Sequence, residues 1–405
     1  RSPLPVGGAV AHAGLVVIDG SRVVDPRSGL DAMLQELARA GYRVVGPTVR
    51  DRAIVYDDLA AGDDLPTGCA VDQQPGRWRL DANAEPTRFG WTPGADSWKQ
   101  FVMPPHQDVL RIRRHDGSWV AETPLPPDRP LALIGARDCE LRALDVLDRV
   151  LLDTDHPDPR YAARRRDVFI VAVTCGVPSA TCWCTSIGGG PQPRHGFDLR
   201  ITELHDADGH RLVVDAATDP GREILHRLPG RAATDIDHVA ADGVVERAVD
   251  QLPLRLPGPD LPELLDGASL HPHWDRIAER CLSCGNCTMV CPTCFCSTFD
   301  DATALTEDGS APIETVRSRH WASCFEFDHS NLGGRPVRAT TASRYRQWLT
   351  HKLETWPQQF GVTGCVGCGR CTTWCPAAID IVHEAAVLIG AATPDEVGAA
   401  NAGPP

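Results

Sequence analysis

The chain has no run of apolar residues approaching the roughly 18 that a membrane-spanning helix requires, although 42% of its 405 residues are hydrophobic. A soluble globular protein is expected. It also lacks a G-x-G-x-x-G fingerprint following a strand, and SIGGGP at 186–191 is too weak a glycine run to replace one, so neither flavin nor nicotinamide is expected to bind here. Positive charge is in the minority. Lys and Arg number 40 against 54 Asp and Glu, a formal net charge of −14; an acidic surface repels nucleic acid and anionic lipid, which excludes both as main partners. The apolar stretch from Val6 to Ile18 runs into Asp19, Arg22 and Asp25 without a small-residue cleavage pattern, so it does not read as a signal peptide. The chain begins at Arg1 rather than Met, and its natural start is expected upstream.

What the chain has in excess is cysteine, 16 in all. Such a number means either a disulfide framework or reduced thiolates that hold metal, and spacing decides between them. Cys281, Cys284, Cys287 and Cys291 precede Pro292; Cys365, Cys368, Cys371 and Cys375 precede Pro376. Both runs read C-x-x-C-x-x-C-x-x-x-C-P, which binds 4Fe-4S clusters in bacterial ferredoxins with the fourth Cys on the other cluster. Three thiolates two residues apart wrap a loop around three corners of a cubane. The fourth lies beyond the loop, and the proline removes a donor and presets φ for the helical turn that follows. One cluster is thereby assigned to Cys281, Cys284, Cys287 and Cys375, the other to Cys365, Cys368, Cys371 and Cys291. Zinc also uses C-x-x-C pairs, but two full copies of the run, proline included, argue against it. Cys287, Cys291 and Cys294 spell the C-x-x-x-C-x-x-C of radical S-adenosylmethionine enzymes; that string overlaps the ferredoxin run, and no (β/α) repeat follows it to build the barrel.

The length suggests two domains. The expected architecture is an N-terminal α/β domain, 1–252, then a Pro- and Gly-rich linker, 253–272, a ferredoxin-like two-cluster domain, 273–390, with a helical insertion at 297–360, and a flexible tail, 391–405. Within the insertion, Tyr345, Trp348, Leu349, Leu353 and Trp356 recur on one helical face, more in keeping with core than with a docking surface. His273 to Arg280 reads as a short helix leading into the first cysteine run.

In the N-terminal part, Leu131–Ala136 and Val168–Thr174 read as strands around a helix from Cys139 to Leu152, a βαβ unit with parallel strands. Further strands are expected at 43–46, 53–56 and 211–215. Cys139 and Cys175 then fall just past the carboxyl ends of the two strands, the edge at which open α/β sheets bind ligands. Cys182 and Cys184 follow in a loop that can fold back. A third metal site, a 4Fe-4S cluster on Cys139, Cys175, Cys182 and Cys184, is expected; zinc on the same thiolates, or Cys139 and Cys175 as small buried residues, are the alternatives. Cys294, Cys296 and Cys324 leave a site one ligand short unless His320 or His329 joins, and are expected to pack around the clusters. Cys69 stands alone. Trp374 either shields a cluster or packs for its area.

The strings CLSCGNCTMVCPTCFC (281–296), IGARDCELRALDVLDRV (134–150), TCGVPSATCWC (174–184), GFDLRITEL (196–204) and GCVGCGRCTTWCP (364–376) together resemble one family. It is the beta subunit of cytosolic nickel-iron hydrogenases, also called sulfhydrogenases, and the related A subunit of anaerobic sulfite reductase. The resemblance runs from SWKQFVMPP near residue 97 onward. It implies a cytoplasmic electron-transfer subunit that relays electrons between a flavin subunit using NAD(P)H and a hydrogenase catalytic module. The eight ferredoxin-type cysteines match the family motif one by one, and Cys139, Cys175, Cys182 and Cys184 resemble family positions as well. The other readings are the equivalent sulfite reductase subunit, an enzyme in which a cluster with an open iron at Cys324 or the Cys182 loop is itself catalytic, and a zinc-bound interaction module.

Overall fold

A computed structural model describes residues 18, 20–81, 85–124, 129–252, 256–258, 260–307, 309 and 312–393. The apolar stretch before Ile18, part of the expected linker and most of the expected tail lie outside them. Fourteen strands matter here: β1 (Ser21–Val24), β2 (Arg43–Arg50), β3 (Ala53–Asp58), β4 (Ala70–Gln74), β5 (Arg77–Asp81), β6 (His106–His115), β7 (Ser118–Glu122), β8 (Leu131–Ala136), β9 (Phe169–Val173), β10 (Leu199–Asp206), β11 (Gly209–Ala216), β12 (Arg231–Ala232), β13 (Ser297–Leu305) and β14 (Pro312–Trp321). Eight of them form the main sheet, in the order β12-β1-β11-β10-β9-β8-β2-β3.

Its centre is parallel: β2 pairs with β8, β8 with β9 and β9 with β10 in the same direction, while the flanking pairs are antiparallel. Every residue of β8 and of β9 is buried, as central parallel strands covered on both faces require. Alternation divides them. Ala132, Ile134, Phe169 and Val171 enter one core with Leu30, Leu34 and Leu37, and Leu131, Leu133, Ile170 and Ala172 enter another with Leu141, Leu144 and Leu147. The latter leucines belong to the helix Asp138–Leu151, which occupies the crossover between β8 and β9 as the sequence spacing predicts.

Two expectations need correction. The insertion at 297–360 is helical only over its last third, Thr341–Phe360, because β13 and β14 form a hairpin that joins β6 and β7 in a sheet ordered β13-β14-β6-β7. Strand β13 exposes all but its first residue, so it carries no apolar alternation from which a strand could be read. The stretch expected as a linker is not free either. Its helix Leu261–Asp266 buries Leu261 and Leu265, which pack with Trp274, Ile277 and Leu349 in the C-terminal core. Among the described residues no helix is long and apolar enough to cross a membrane.

Candidate metal centre

The first cysteine loop leaves the helix His273–Arg280 at Cys281 and enters left-handed backbone twice, at Ser283 (φ 51°) and Gly285 (φ 73°). The second loop does the same at the equivalent positions, Gly367 (φ 67°) and Gly369 (φ 70°). The first kink of each loop turns its backbone N–H toward sulfur, and a further N–H reaches Cys375. Ser283 N–H donates to Cys281 Sγ at 3.5 Å, Gly367 N–H to Cys365 Sγ at 3.4 Å and Ile379 N–H to Cys375 Sγ at 3.4 Å. A helical turn follows each loop, Asn286–Met289 and Arg370–Thr373. Hydrogen bonds to cluster sulfurs are one of the levers that set potentials.

Cys281, Cys284, Cys287 and Cys375 line one cavity, with about 420 Å³ of protein-free space partly open to solvent. Burial pushes the Cys287 thiol well up, and the thiols of Cys324, Cys375, Cys281 and Cys284 push it further. The companion group is equally compact: burial raises Cys371, and Cys365, Cys291 and Cys368 add to the rise. Cys365 is pushed up to about 12, chiefly by burial. Cys375 thus lies with Cys281, Cys284 and Cys287, and Cys291 neighbours Cys371 and Cys365.

A further cavity, with about 540 Å³ of protein-free space partly open to solvent, is lined by Cys139, Cys175, Cys182 and Cys184. The parallel pair β8 and β9 carries the first two to one sheet edge, Cys139 in the opening turn of the helix Asp138–Leu151. The loop bearing the other two is laid against the second cysteine run. Trp183 N–H donates to Gly367 O at 2.9 Å. A Cβ on Gly367 would lie 2.6 Å from Cys184 Cα, and one on Gly369 2.3 Å from Thr181 O, so only glycine permits this approach. Cys368 lines this cavity and Cys371 lines the first. The set containing both is thus the middle one of three.

Each set faces a buried donor suited to an anionic sulfur-rich group. Arg137 donates to Cys175 Sγ at 2.8 Å. Its Nε, and Nη1 of Arg370, are buried without a protein partner, and both arginines line the third cavity. Arg370 is otherwise fixed by Glu140 at 2.7 Å, an ion pair in which both side chains are about 2% exposed or less. Trp348 lines the first cavity with its indole N–H unpartnered. At the middle set, Lys352 Nζ donates to Cys291 Sγ at 3.5 Å, and Lys99 Nζ to the carbonyls of Cys291 at 3.0 Å and Cys294 at 3.1 Å. Burial pushes the Lys99 ammonium down against the pull of nearby thiols; at Lys352 the thiols of Cys291, Cys294 and Cys365 prevail over burial and hold it well up. The thiol sets, with donors of this kind at their edges, fit 4Fe-4S groups.

Sequence reasoning missed these cations. Lys352 did leave a trace, since it occupies the apolar stripe of its helix between Leu349 and Leu353, both fully buried. Cys324 and Cys296 neighbour each other beside the first set, Cys324 pushed up to about 12 by burial. His320 instead faces His106 at 3.1 Å and Asp300 at 3.3 Å on the hairpin sheet. Trp374 stacks on Trp78 at 5.8 Å, and Cys69 is buried in the main core. Among the described residues no three His, Cys, Asp or Glu side chains close around a point fit for a single ion.

Residues 280–379 match the family model of the 4Fe-4S dicluster domain. The chain is similar to sulfhydrogenase 2 subunit beta of Pyrococcus furiosus, 31% identical over 287 residues that span 70% of this chain and 80% of that protein. No solved structure matches it.

Proposed function

Because the chain belongs to the family of sulfhydrogenase beta subunits, we propose that it carries electrons along three 4Fe-4S groups, between a flavin subunit that exchanges with NAD(P)H and a hydrogenase catalytic module. Cys281, Cys284, Cys287 and Cys375 hold the first group, Cys365, Cys368, Cys371 and Cys291 the second, and Cys139, Cys175, Cys182 and Cys184 the third. When bound, each group supplies a one-electron couple. The observation that carries the reading is the sharing of walls: Cys371 borders the first cavity and Cys368 the third, so the second set touches both others.

The protein's own residues then do three things. Left-handed kinks at Ser283 and Gly367 aim N–H groups at sulfur. Arg137, Lys352 and their neighbours place positive charge where negative charge gathers. At the surface, Cys284 is exposed and Leu282 is 68% exposed, which makes the first loop the port through which a partner exchanges electrons.

Iron and acid-labile sulfide analysis of the full chain, reconstituted without oxygen, tests this. About twelve iron atoms per chain are expected, falling to about eight on replacing Cys182 and Cys184 by Ser. An unchanged count after that replacement removes the third group, and zinc without sulfide removes the whole reading. Co-purification of a sirohaem subunit in place of a nickel-containing one would transfer the same role to a sulfite reductase.

A further inference from the structure

Two buried lysines touch the chain segments of the middle set, and the proposed function gives neither a task of its own. Lys352 is 5% exposed and Lys99 2% exposed. A buried ammonium is costly unless something negative answers it. Among the described residues no carboxylate pairs with either. Lys352 Nζ reaches Cys291 Sγ at 3.5 Å, Thr293 Oγ1 at 2.8 Å and Gly364 O at 3.3 Å. Lys99 Nζ reaches only carbonyl oxygens, and lies 3.6 Å from the centre of the Trp321 ring.

The backbone is deformed where Lys352 emerges. The helix Thr341–Thr350 opens into a π turn over His351–Thr355 and resumes as Trp356–Phe360. Pro357 has no N–H to return to the carbonyl of Leu353, so the regular ladder cannot continue through this turn, and π turns of this kind gather at functional sites. Lys352 is also bound at both ends to the second cysteine run, its carbonyl accepting from Gly364 N–H at 2.8 Å while its ammonium donates to Gly364 O. The side chain thus spans two segments, Cys291–Thr293 and Gly364–Cys365, that supply cysteines of the middle set.

We propose that Lys352 sets the reduction potential of the middle 4Fe-4S group, with Lys99 acting in the same direction; this rests on the reading that Cys291, Cys365, Cys368 and Cys371 hold such a group. A 4Fe-4S group on four thiolates becomes more negative by one charge when it takes an electron. Burial opposes that step, because no water is at hand to stabilise the added charge, and an enclosed group beside a solvent-touched one falls to lower potential unless a fixed positive charge offsets the burial. Lys352 is that charge. Among the described residues no cation donates to a thiol of the first set: Arg280, tied to Glu384 at 2.5 Å, and Arg344, which donates to carbonyl and hydroxyl oxygens, act on Cys375 and Cys281 only through space. By lifting the middle group, Lys352 keeps it able to accept electrons from its neighbours.

The test is a potentiometric titration, followed by electron paramagnetic resonance, of the full chain reconstituted without oxygen. Wild type is compared with Lys352→Met, which removes the charge, and Lys352→Arg, which keeps it. The midpoint of one group, identified as the one whose signal Cys365→Ser alters, is expected to move to more negative potential in Lys352→Met and to return toward wild type in Lys352→Arg, the other midpoints holding still. Unmoved midpoints at full iron content, or equal shifts in both variants, would overturn the proposal. Should Lys352→Met fail to hold the middle group, Lys99→Met decides: a smaller negative shift of the same midpoint supports the proposal, and no shift refutes it. Wild type without acid-labile sulfide would instead defeat the underlying functional reading, an outcome told apart by iron analysis alone.

Discussion

The two cysteine loops carry the same ligand spacing and the same backbone kinks, yet they inhabit different surroundings. In the first, Leu282 is 68% exposed, Cys284 is exposed, and Asn286 follows the second kink. In the second, the residue equivalent to Leu282 is Val366, 2% exposed, and that equivalent to Asn286 is Arg370, 2% exposed and ion-paired to Glu140. The cysteines specify what is bound. The residues between them decide whether the group meets solvent or the rest of the protein.

Paired substitutions at equivalent positions measure that difference, the largest first. Arg370→Met leaves Glu140 buried without its cation and is expected to cost about 3–5 kcal/mol, whereas Asn286→Ala removes a single bond to the Trp374 carbonyl and costs about 1 kcal/mol. Thermal unfolding of the reconstituted chains ranks the two, and equal midpoints would dissolve the contrast. Next come the glycines. Gly369→Ala combines a left-handed backbone with a Cβ 2.3 Å from the Thr181 carbonyl oxygen and is expected to cost about 3 kcal/mol, since backbone cannot swing aside. Gly285→Ala meets a side chain instead, the Ser323 hydroxyl at 2.9 Å, which can rotate away, and its Cβ at 3.1 Å, leaving about 1–2 kcal/mol. The smallest effect belongs to the apolar pair. Val366→Ala should cost about 2 kcal/mol, and Leu282→Ala should stay within about 0.5 kcal/mol while slowing electron exchange with a partner protein, as stopped-flow bleaching of the chain can show.

Much of this arrangement was legible in the cysteines and in the central strands. Eight thiols in two C-x-x-C-x-x-C-x-x-x-C-P runs announce their grouping through spacing alone, and β8, β9 and the helix between them follow from one apolar run, one β-branched run and one amphipathic period. Cys139 and Cys175 could be placed together because parallel strands end on a common edge. Other features lie in contacts that no local pattern encodes. The hairpin β13–β14 is held by partners such as Asp301 with Arg317 and Arg113 with Glu314, charged residues that read equally well as loop. Gly367 and Gly369 look like ordinary loop glycines until the Thr181–Cys184 segment is seen pressed against them. Lys352 alone broke an apolar stripe in plain view; its reach to Cys291 depends on a π turn that periodicity does not forecast.

One feature of the first cavity bears on how the chain is made. Three of its thiols, Cys281, Cys284 and Cys287, come from a single loop, while Cys371 and Cys375 belong to the second cysteine run, far later in the sequence. A protein synthesised from its N-terminus folds its early segments first, but this pocket has no complete wall until those late cysteines have emerged. Iron and sulfide delivered to the growing chain would find an open loop, so the finished lining forms only once Cys375 has been made, well after the loop itself. Premature truncation anywhere before Cys371 leaves both ferredoxin-type sites incomplete together rather than one.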